Sequence, residues 1–318
     1  LPLLESVYAC EVEEIAKRCD IDLLHAHFAY PAGFTAAIVK KRLGRPLVVT
    51  VHGYDVLVDE RRRYGIRLKR DFERAVKSAL DAADRVIVNS TYLYETASSL
   101  TSDEKLILIP QGVDLRRFKP RRDEKLKREL GLQDKLVIFT LKEHNRISGI
   151  EYLILAFKKL VNGGIRDTIL LIGGSGPLTP LYEKLVHKLG IASLVKFTGK
   201  LPRSLVPRYM NIIDVYVQPS LLEGFGLALT EAMACAKPVI ASRVGGLIDQ
   251  VVDGYNGLLV EPARPEALAD ALCYVLENPS ERSRMGLNAR RIVEEMFDLS
   301  VRVRRLVELY REVLGDCY

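Results

Sequence analysis

DVYVQPSLLEGFGLALTEAMACAKPVIAS, residues 214–242, decides the fold. Residues 214–220 read as a strand, LLEGFG as a loop, LALTEAMACA as a helix and PVIAS (238–242) as a second strand. In a sheet built from such units, ligands bind in the crevice at the carboxyl ends of the strands. The helix N-terminus offers unpaired backbone N–H groups and the positive end of a dipole, and both suit a phosphate. Gly224 and Gly226 remove side chains where a ligand approaches the backbone. Glu223 precedes the helix, and Glu231 lies one to two turns into it. Carboxylates beside an anion site make chemical sense if they accept hydrogen bonds from sugar hydroxyls. The plainer alternative is one glutamate that favours the helix dipole and a second on the surface.

Outward from this stretch the same alternation continues. Strands are expected at 22–28, 46–52, 85–90 and 105–110, and again at 135–141, 168–174, 194–199 and 257–262. Helical patterns fall at about 31–43, 66–82, 91–99, 149–162, 178–189, 203–211, 226–236 and 264–277. Two more, at about 280–296 and 299–315, have no strand between them. The pattern predicts an α/β chain of parallel sheets with helices on both faces. Pro110, Gly112 and Pro120, with charges between them, mark an exposed connection. The expected division is residues 1–112, 113–298 and a final helix in 299–318. The chain opens without Met on a helix-like segment, 3–18, ahead of the first strand. It reads as a first domain whose opening portion is missing.

Composition narrows the class. The 318 residues are 48% hydrophobic and 28% charged, values of a globular chain. No apolar run reaches the roughly 18–20 residues of a membrane span, and the acidic N-terminal segment is not a signal peptide. A cytoplasmic location is expected, with peripheral attachment at a membrane surface as a variant. The five cysteines (10, 19, 235, 273 and 317) are scattered and contain no C-x-x-C, so neither zinc nor a disulfide framework is indicated. The net charge of +6 is matched by residues 61–77, RRRYGIRLKRDFERAVK, which carry eight basic and two acidic residues. This is either a solvated face or a patch for anionic lipid headgroups or an anionic acceptor. Nucleic acid is not an expected partner, because the stretch lacks a stacking platform.

The segment VYVQPSLLEGFGLALTEAMACAKPVIASRVGGLIDQVVDGYNGLLVEP resembles the E-x7-E signature of family 4 retaining glycosyltransferases. DLLHAHFAYPAGFTAA, VVTVHGYDV, VIVNSTYL, IPQGVDLRRFKP, LLIGGSGP and VKFTGKLP resemble further blocks of that family in order, so the likeness spans nearly the whole chain. It implies the GT-B fold, two Rossmann-like doubly wound domains flanking a cleft, with the incomplete residues 1–112 on the acceptor side and residues 113–298 binding the donor. The final helix is expected to cross back to the first domain. The implied reaction moves a sugar from a nucleoside diphosphate sugar to an acceptor hydroxyl of a glycan, lipid or small molecule, with retention and without a metal or other cofactor. By the same resemblance Glu223 and the backbone of Gly224, Phe225 and Gly226 face the donor sugar and diphosphate. Leu227 adds an amide, Glu231 binds ribose, and Gly174 and Gly176 let the nucleotide approach. His52 stands near the transferring sugar and acceptor and, with Glu223, is the expected catalytic residue; its alternative is a structural histidine at a strand end.

The sequence departs from the family in places. Where the family has an Arg and a Lys for the leaving diphosphate, the run TLKEHNRISG (140–149) places Glu143 and Ser148. Lys142 and Arg146 are the expected substitutes, since an anion site needs a cation or dipole. Asp20-Ile21-Asp22 spells D-x-D, but it precedes a strand instead of ending one. His25 and His27 share a strand face and read as a packed pair before a metal site. A nucleotide-sugar epimerase of the same fold and a non-catalytic nucleotide-sugar-binding protein are the alternative functions.

Overall fold

The computed structural model describes residues 2–165 and 167–315. The chain forms two compact units: residues up to Gln111 together with those from Ser300 onward, and Gly112–Leu299. The first contains α1 (Pro2–Arg18), β1 (Leu24–His27), α2 (Phe34–Leu43), β2 (Leu47–Thr50), α3 (Arg70–Ala82), β3 (Arg85–Val88), α4 (Thr91–Ser98) and β4 (Leu106–Leu108). Its sheet is parallel in the order β1-β2-β3-β4. The second contains α5 (Glu124–Glu129), β5 (Leu136–Leu141), α6 (Ile150–Asn162), β6 (Thr168–Gly173), α7 (Thr179–Lys188), β7 (Val195–Gly199), α8 (Val206–Ile212) and β8 (Val215–Gln218). There follow α9 (Leu227–Ala234), β9 (Val239–Ser242), β10 (Gly257–Val260), α10 (Pro265–Glu277) and α11 (Pro279–Met296). Its six parallel strands run β10-β9-β8-β5-β6-β7. The last helix, α12 (Leu299–Leu314), returns to the first unit. Leu309 packs with Val48, Ile87 and Ile109, and Arg302 Nη1 donates to the carbonyls of Ile109 at 3.1 Å and Pro110 at 2.6 Å.

The period-2 geometry of a strand explains why the second unit is layered. Val137, Phe139, Ile169, Leu171, Tyr216, Val239 and Ala241 join the core on one face. The residues between them, Ile138, Leu170, Ile172, Val215, Val217 and Ile240, join the core on the other. Successive side chains point to opposite faces, so strands buried on both faces must be apolar throughout. The order also fixes where a ligand can sit. From β5 the chain moves outward through β6 to β7, then returns to β8 on the other side of β5. The carboxyl ends of β5 and β8 therefore flank a topological switch point.

Some local expectations change. The pattern over 66–82 is not one helix: residues 66–68 form a 3-10 turn and α3 starts at Arg70. Within this stretch Arg62 pairs with Asp59 at 2.6 Å and Arg67 with Glu73 at 3.1 Å, so these two charges serve the fold. Arg61, Arg63 and Arg70 are exposed. Helix α5, capped by the Asp123 side chain on the Leu126 N–H, was not expected; at six residues its pattern is too short to register. Ala236, where the resembled family often has glycine, adopts φ 55°, a left-handed geometry that glycine takes without strain. Cys10, Cys19, Cys235 and Cys273 are free thiols; Cys317 lies outside the described residues. No described helix is long and apolar enough to cross a membrane.

Candidate active site

Two loops converge at the switch point of the second unit. The loop after β5 and the loop after β8 are joined by the Leu221 N–H donating to the Ile147 carbonyl at 2.8 Å. At Gly149, φ 68°, a β-carbon would lie 1.9 Å from the Pro219 carbonyl oxygen. Glycine is required there for the approach, and it begins α6. The third wall is the turn after β6. A β-carbon at Gly174 would meet the Lys142 carbonyl oxygen at 1.8 Å, and one at Gly176 the His144 carbonyl oxygen at 2.6 Å. These glycines were expected to admit the nucleotide. Their geometry shows that they first admit the neighbouring loop. Both also line a crevice of about 580 Å³ with Lys142, Glu143 and Lys200.

Glu223 stands at the centre of a polar cluster. Its Oε2 accepts from Lys142 Nζ at 2.7 Å, Gln218 Nε2 at 2.7 Å and Ser220 Oγ at 2.9 Å. Lys142 also donates to Ser220 Oγ. Burial opposes ionisation of Glu223, but Lys142, Gln218 and Ser220 outweigh it and hold the carboxyl below its ordinary value. Every donor goes to Oε2, so Oε1 is left without a protein partner among the described residues. Lys142 is only 9% exposed in this pair. Arg146 is exposed on the turn and does not line the crevice; Ser148 turns inward, 2.9 Å from the Tyr182 hydroxyl. Of the two expected cations, the structure brings Lys142 to Glu223 and leaves Arg146 outside. Lys200, just after β7, lines the crevice instead.

Helix α9 begins at Gly226, φ 97°, with no side-chain cap. The N–H groups of Gly226, Leu227 and Ala228 find no acceptor among the described residues. The Phe225 side chain is 6% exposed and packs edge-on against Phe297 at 5.9 Å, anchoring the loop. The Phe225 carbonyl accepts from Gln250, whose Oε1 in turn accepts from Thr230 Oγ1 at 2.6 Å. The carboxylate of Glu231, 8% exposed, has no hydrogen bond or ion pair among the described residues. Burial pushes its pKa up to about 7, against the pull of Arg203 and Arg117. A buried carboxylate without a partner is costly, and such groups concentrate at functional sites.

His52 belongs to the other unit, after β2. Its Nε2 meets His27 Nδ1 at 2.9 Å, and Gln111 Nε2 approaches its Nδ1 at 3.5 Å. Burial, then His27 and Arg302, lower its pKa to about 4, so the ring is neutral at pH 7. His25 bonds to Tyr310 at 2.5 Å and Thr50 at 2.7 Å and stacks on His27 at 4.7 Å. Asp20 and Asp22 both face Arg45, at 3.2 and 3.8 Å. No three described His, Cys, Asp or Glu side chains are grouped to hold a metal ion. Sequence reading missed Gln218, Ser220 and Lys200. The first two stand in the quoted strand end, and a search for polar groups at carboxyl strand ends would have found them.

The paired parallel sheets and the crevice at a switch point define the GT-B architecture. A structure of sucrose-phosphate synthase from Thermosynechococcus elongatus superposes with a TM-score of 0.86 at 27% identity, over 97% of this chain and 78% of that one. The family model for glycosyl transferases group 1 matches residues 122–292, and that for glycosyltransferase family 4 matches residues 5–117. The chain belongs to these group 1, family 4 glycosyltransferases. It is 28% identical to N-acetyl-alpha-D-glucosaminyl L-malate synthase of Bacillus anthracis, over 99% of this chain and 81% of that protein. It is also 28% identical to a GDP-mannose-dependent alpha-(1-6)-phosphatidylinositol monomannoside mannosyltransferase of Mycolicibacterium smegmatis, over 97% of this chain and 81% of that protein.

Proposed function

We propose that the chain transfers a sugar from a nucleoside diphosphate donor to an acceptor hydroxyl, with retention and without a metal ion. The partnerless Glu231 carboxylate beside the unclaimed N–H groups of α9 carries this reading. Carboxylates accept from hydroxyls, and helix N-termini take phosphate. A nucleoside diphosphate sugar presents hydroxyls on both sides of a diphosphate. Glu231 suits the ribose, the N-terminus of α9 and the Lys142 ammonium the diphosphate, and Oε1 of Glu223 the donor sugar. The name of the mycolicibacterial relative, GDP-mannose-dependent, supports a donor of this class. Positive charge and dipole at the leaving group act as preorganised stabilisation and supply what a metal ion supplies elsewhere. For retention, the departing phosphate takes the acceptor proton on the face where attack occurs. Lys142, Gln218 and Ser220 hold Glu223 as a hydrogen-bonded anion, and it is read as an acceptor for the donor sugar's hydroxyls. The basic face of residues 61–77, with exposed Arg61, Arg63 and Arg70, is proposed to contact an anionic membrane surface.

Thermal unfolding with UDP, GDP and ADP tests the donor reading. A diphosphate that binds only the folded state adds about 2.7 kcal/mol at a hundred times its dissociation constant. Stabilisation by one of them, abolished in Glu231→Ala, is expected. Absence of stabilisation by all three refutes it.

A further inference from the structure

The loop between β9 and β10 lies against the loop that opens α9, and one buried side chain joins them. Gln250 is 1% exposed. Its Nε2 donates to the Phe225 carbonyl and reaches the Gly246 carbonyl at 3.3 Å. Its Oε1 accepts from Thr230 Oγ1 at 2.6 Å. The two carbonyls can only accept, so the amide has one setting, nitrogen toward the loop and oxygen toward the helix. The backbone of Gln250 is held as well. Its N–H donates to the Leu247 carbonyl at 3.2 Å, and its carbonyl accepts from Asn256 Nδ2 at 2.9 Å. Asn256, fully buried, closes the loop by accepting from the Val252 N–H at 2.7 Å.

This amide takes no part in the contacts assigned to the donor. Its consequence lies in the peptide it holds. A trans peptide is planar, and its C=O and N–H point in opposite directions. Drawing the Phe225 carbonyl toward Gln250 therefore turns the Gly226 N–H away from it, among the unclaimed N–H groups at the start of α9. Glycine makes that orientation fragile. At φ 97° a β-carbon on residue 226 would stand 2.5 Å from Leu247 Cδ2, so glycine is needed there. Glycine also takes positive and negative φ about equally. A half-turn of the Phe225–Gly226 peptide is thus open to the backbone, and it would put a carbonyl oxygen where the N–H stands. A donor at that place binds a phosphate, and an acceptor repels it. The Gly246 N–H ties the Glu223 carbonyl at 3.2 Å, two residues earlier, and leaves this peptide to Gln250.

We propose that Gln250 is a positioning residue for glycosyl transfer. It latches the Phe225–Gly226 peptide with the N–H toward the donor diphosphate, and the Thr230 hydroxyl holds the latch in its setting. This rests on the nucleoside diphosphate reading of the site and adds the residue that orients it.

Phe225–Gly226 is the only Phe-Gly pair in the sequence. The full chain labelled with 13C-carbonyl phenylalanine and 15N-glycine therefore gives one carbonyl–amide cross-peak, which reads that peptide directly. UDP, GDP and ADP are titrated separately, with thermal unfolding in parallel. In the wild type, the diphosphate that stabilises the protein is expected to move the amide proton downfield as the N–H takes a phosphate acceptor. Gln250→Met keeps the length and removes the donor. It is expected to shift the ligand-free peak and to bind that diphosphate about tenfold or more weakly, the loss of one hydrogen bond to a charged group. Thr230→Val is expected to act in the same direction, and Thr230→Ser, which keeps the hydroxyl, to restore the wild-type peak and affinity. The Thr230 pair decides the matter if Gln250→Met does not fold. A lower melting temperature with peak and affinity unchanged overturns the latch and makes Gln250 a packing residue. Stabilisation of the wild type without movement of the peak overturns it too, and in both cases the donor reading stands. If none of the three diphosphates stabilises the wild type, the donor reading itself fails and the latch has no ligand to serve.

Discussion

Replacing Glu231 by Gln is expected to stabilise the ligand-free protein while weakening its ligand. The carboxyl is buried without a partner, and burial raises its pKa from 4.5 to about 7. At 1.36 kcal/mol per pH unit, the difference corresponds to about 3 kcal/mol. The sign follows from proton binding. Between pH 4.5 and 7 the folded state holds a proton on Glu231 that the unfolded state has lost, so stability falls as pH rises. The favourable contribution is complete below the unfolded value and lost as pH passes through the folded value. Glutamine carries no charge, so Glu231→Gln removes this slope and gains up to about 3 kcal/mol at pH 8. For a unit of this size each kcal/mol shifts the melting temperature by about 2–4 °C. Losing a charged acceptor for a hydroxyl costs about 1.5–3 kcal/mol of binding, roughly a 10- to 150-fold weaker nucleoside diphosphate. The assay is calorimetric unfolding at pH 5 and pH 8, with and without that ligand. The reasoning fails if the variant melts at or below wild type at pH 8, or if the pH slope between the two persists.

Lys142→Met is expected to weaken nucleoside diphosphate binding at least tenfold by calorimetry and to cost of order 3 kcal/mol of stability, because it strands Glu223. Arg146→Ala is expected to stay within about twofold of wild type, since Arg146 is exposed and off the crevice. Equal losses in both variants would restore Arg146 as a phosphate ligand. Transfer activity is expected to survive EDTA; complete loss with rescue by Mn2+ or Mg2+ would overturn metal independence. Vesicles containing phosphatidylglycerol are expected to sediment the wild type and not the variant Arg61→Glu/Arg63→Glu/Arg70→Glu, and purely zwitterionic vesicles to sediment neither. Equal sedimentation of wild type and variant would leave residues 61–77 as a solvated face.

Strand and helix succession was legible because it rests on local periodicity. The apolar runs that became β5 and β6 are buried on both faces, and that alone writes them as continuous hydrophobic stretches. The Glu223–Glu231 spacing was legible for the same reason, since one loop and one helix carry both residues. Three features needed the tertiary structure. Lys142 is drawn to Glu223, and Arg146 left off the crevice, through hydrogen bonds to Ser220 and Glu223, which lie some eighty residues away in sequence. Gly174 is required by contact with the Lys142 carbonyl, which no local pattern reveals. The setting of the Phe225–Gly226 peptide depends on Gln250, twenty-five residues away, because glycine by itself leaves that peptide free to turn. Local sequence set the elements and the residue types at the strand ends. Which of those residues meet, and which are left with an unfilled hydrogen bond, was set by the packing of loops distant in the chain.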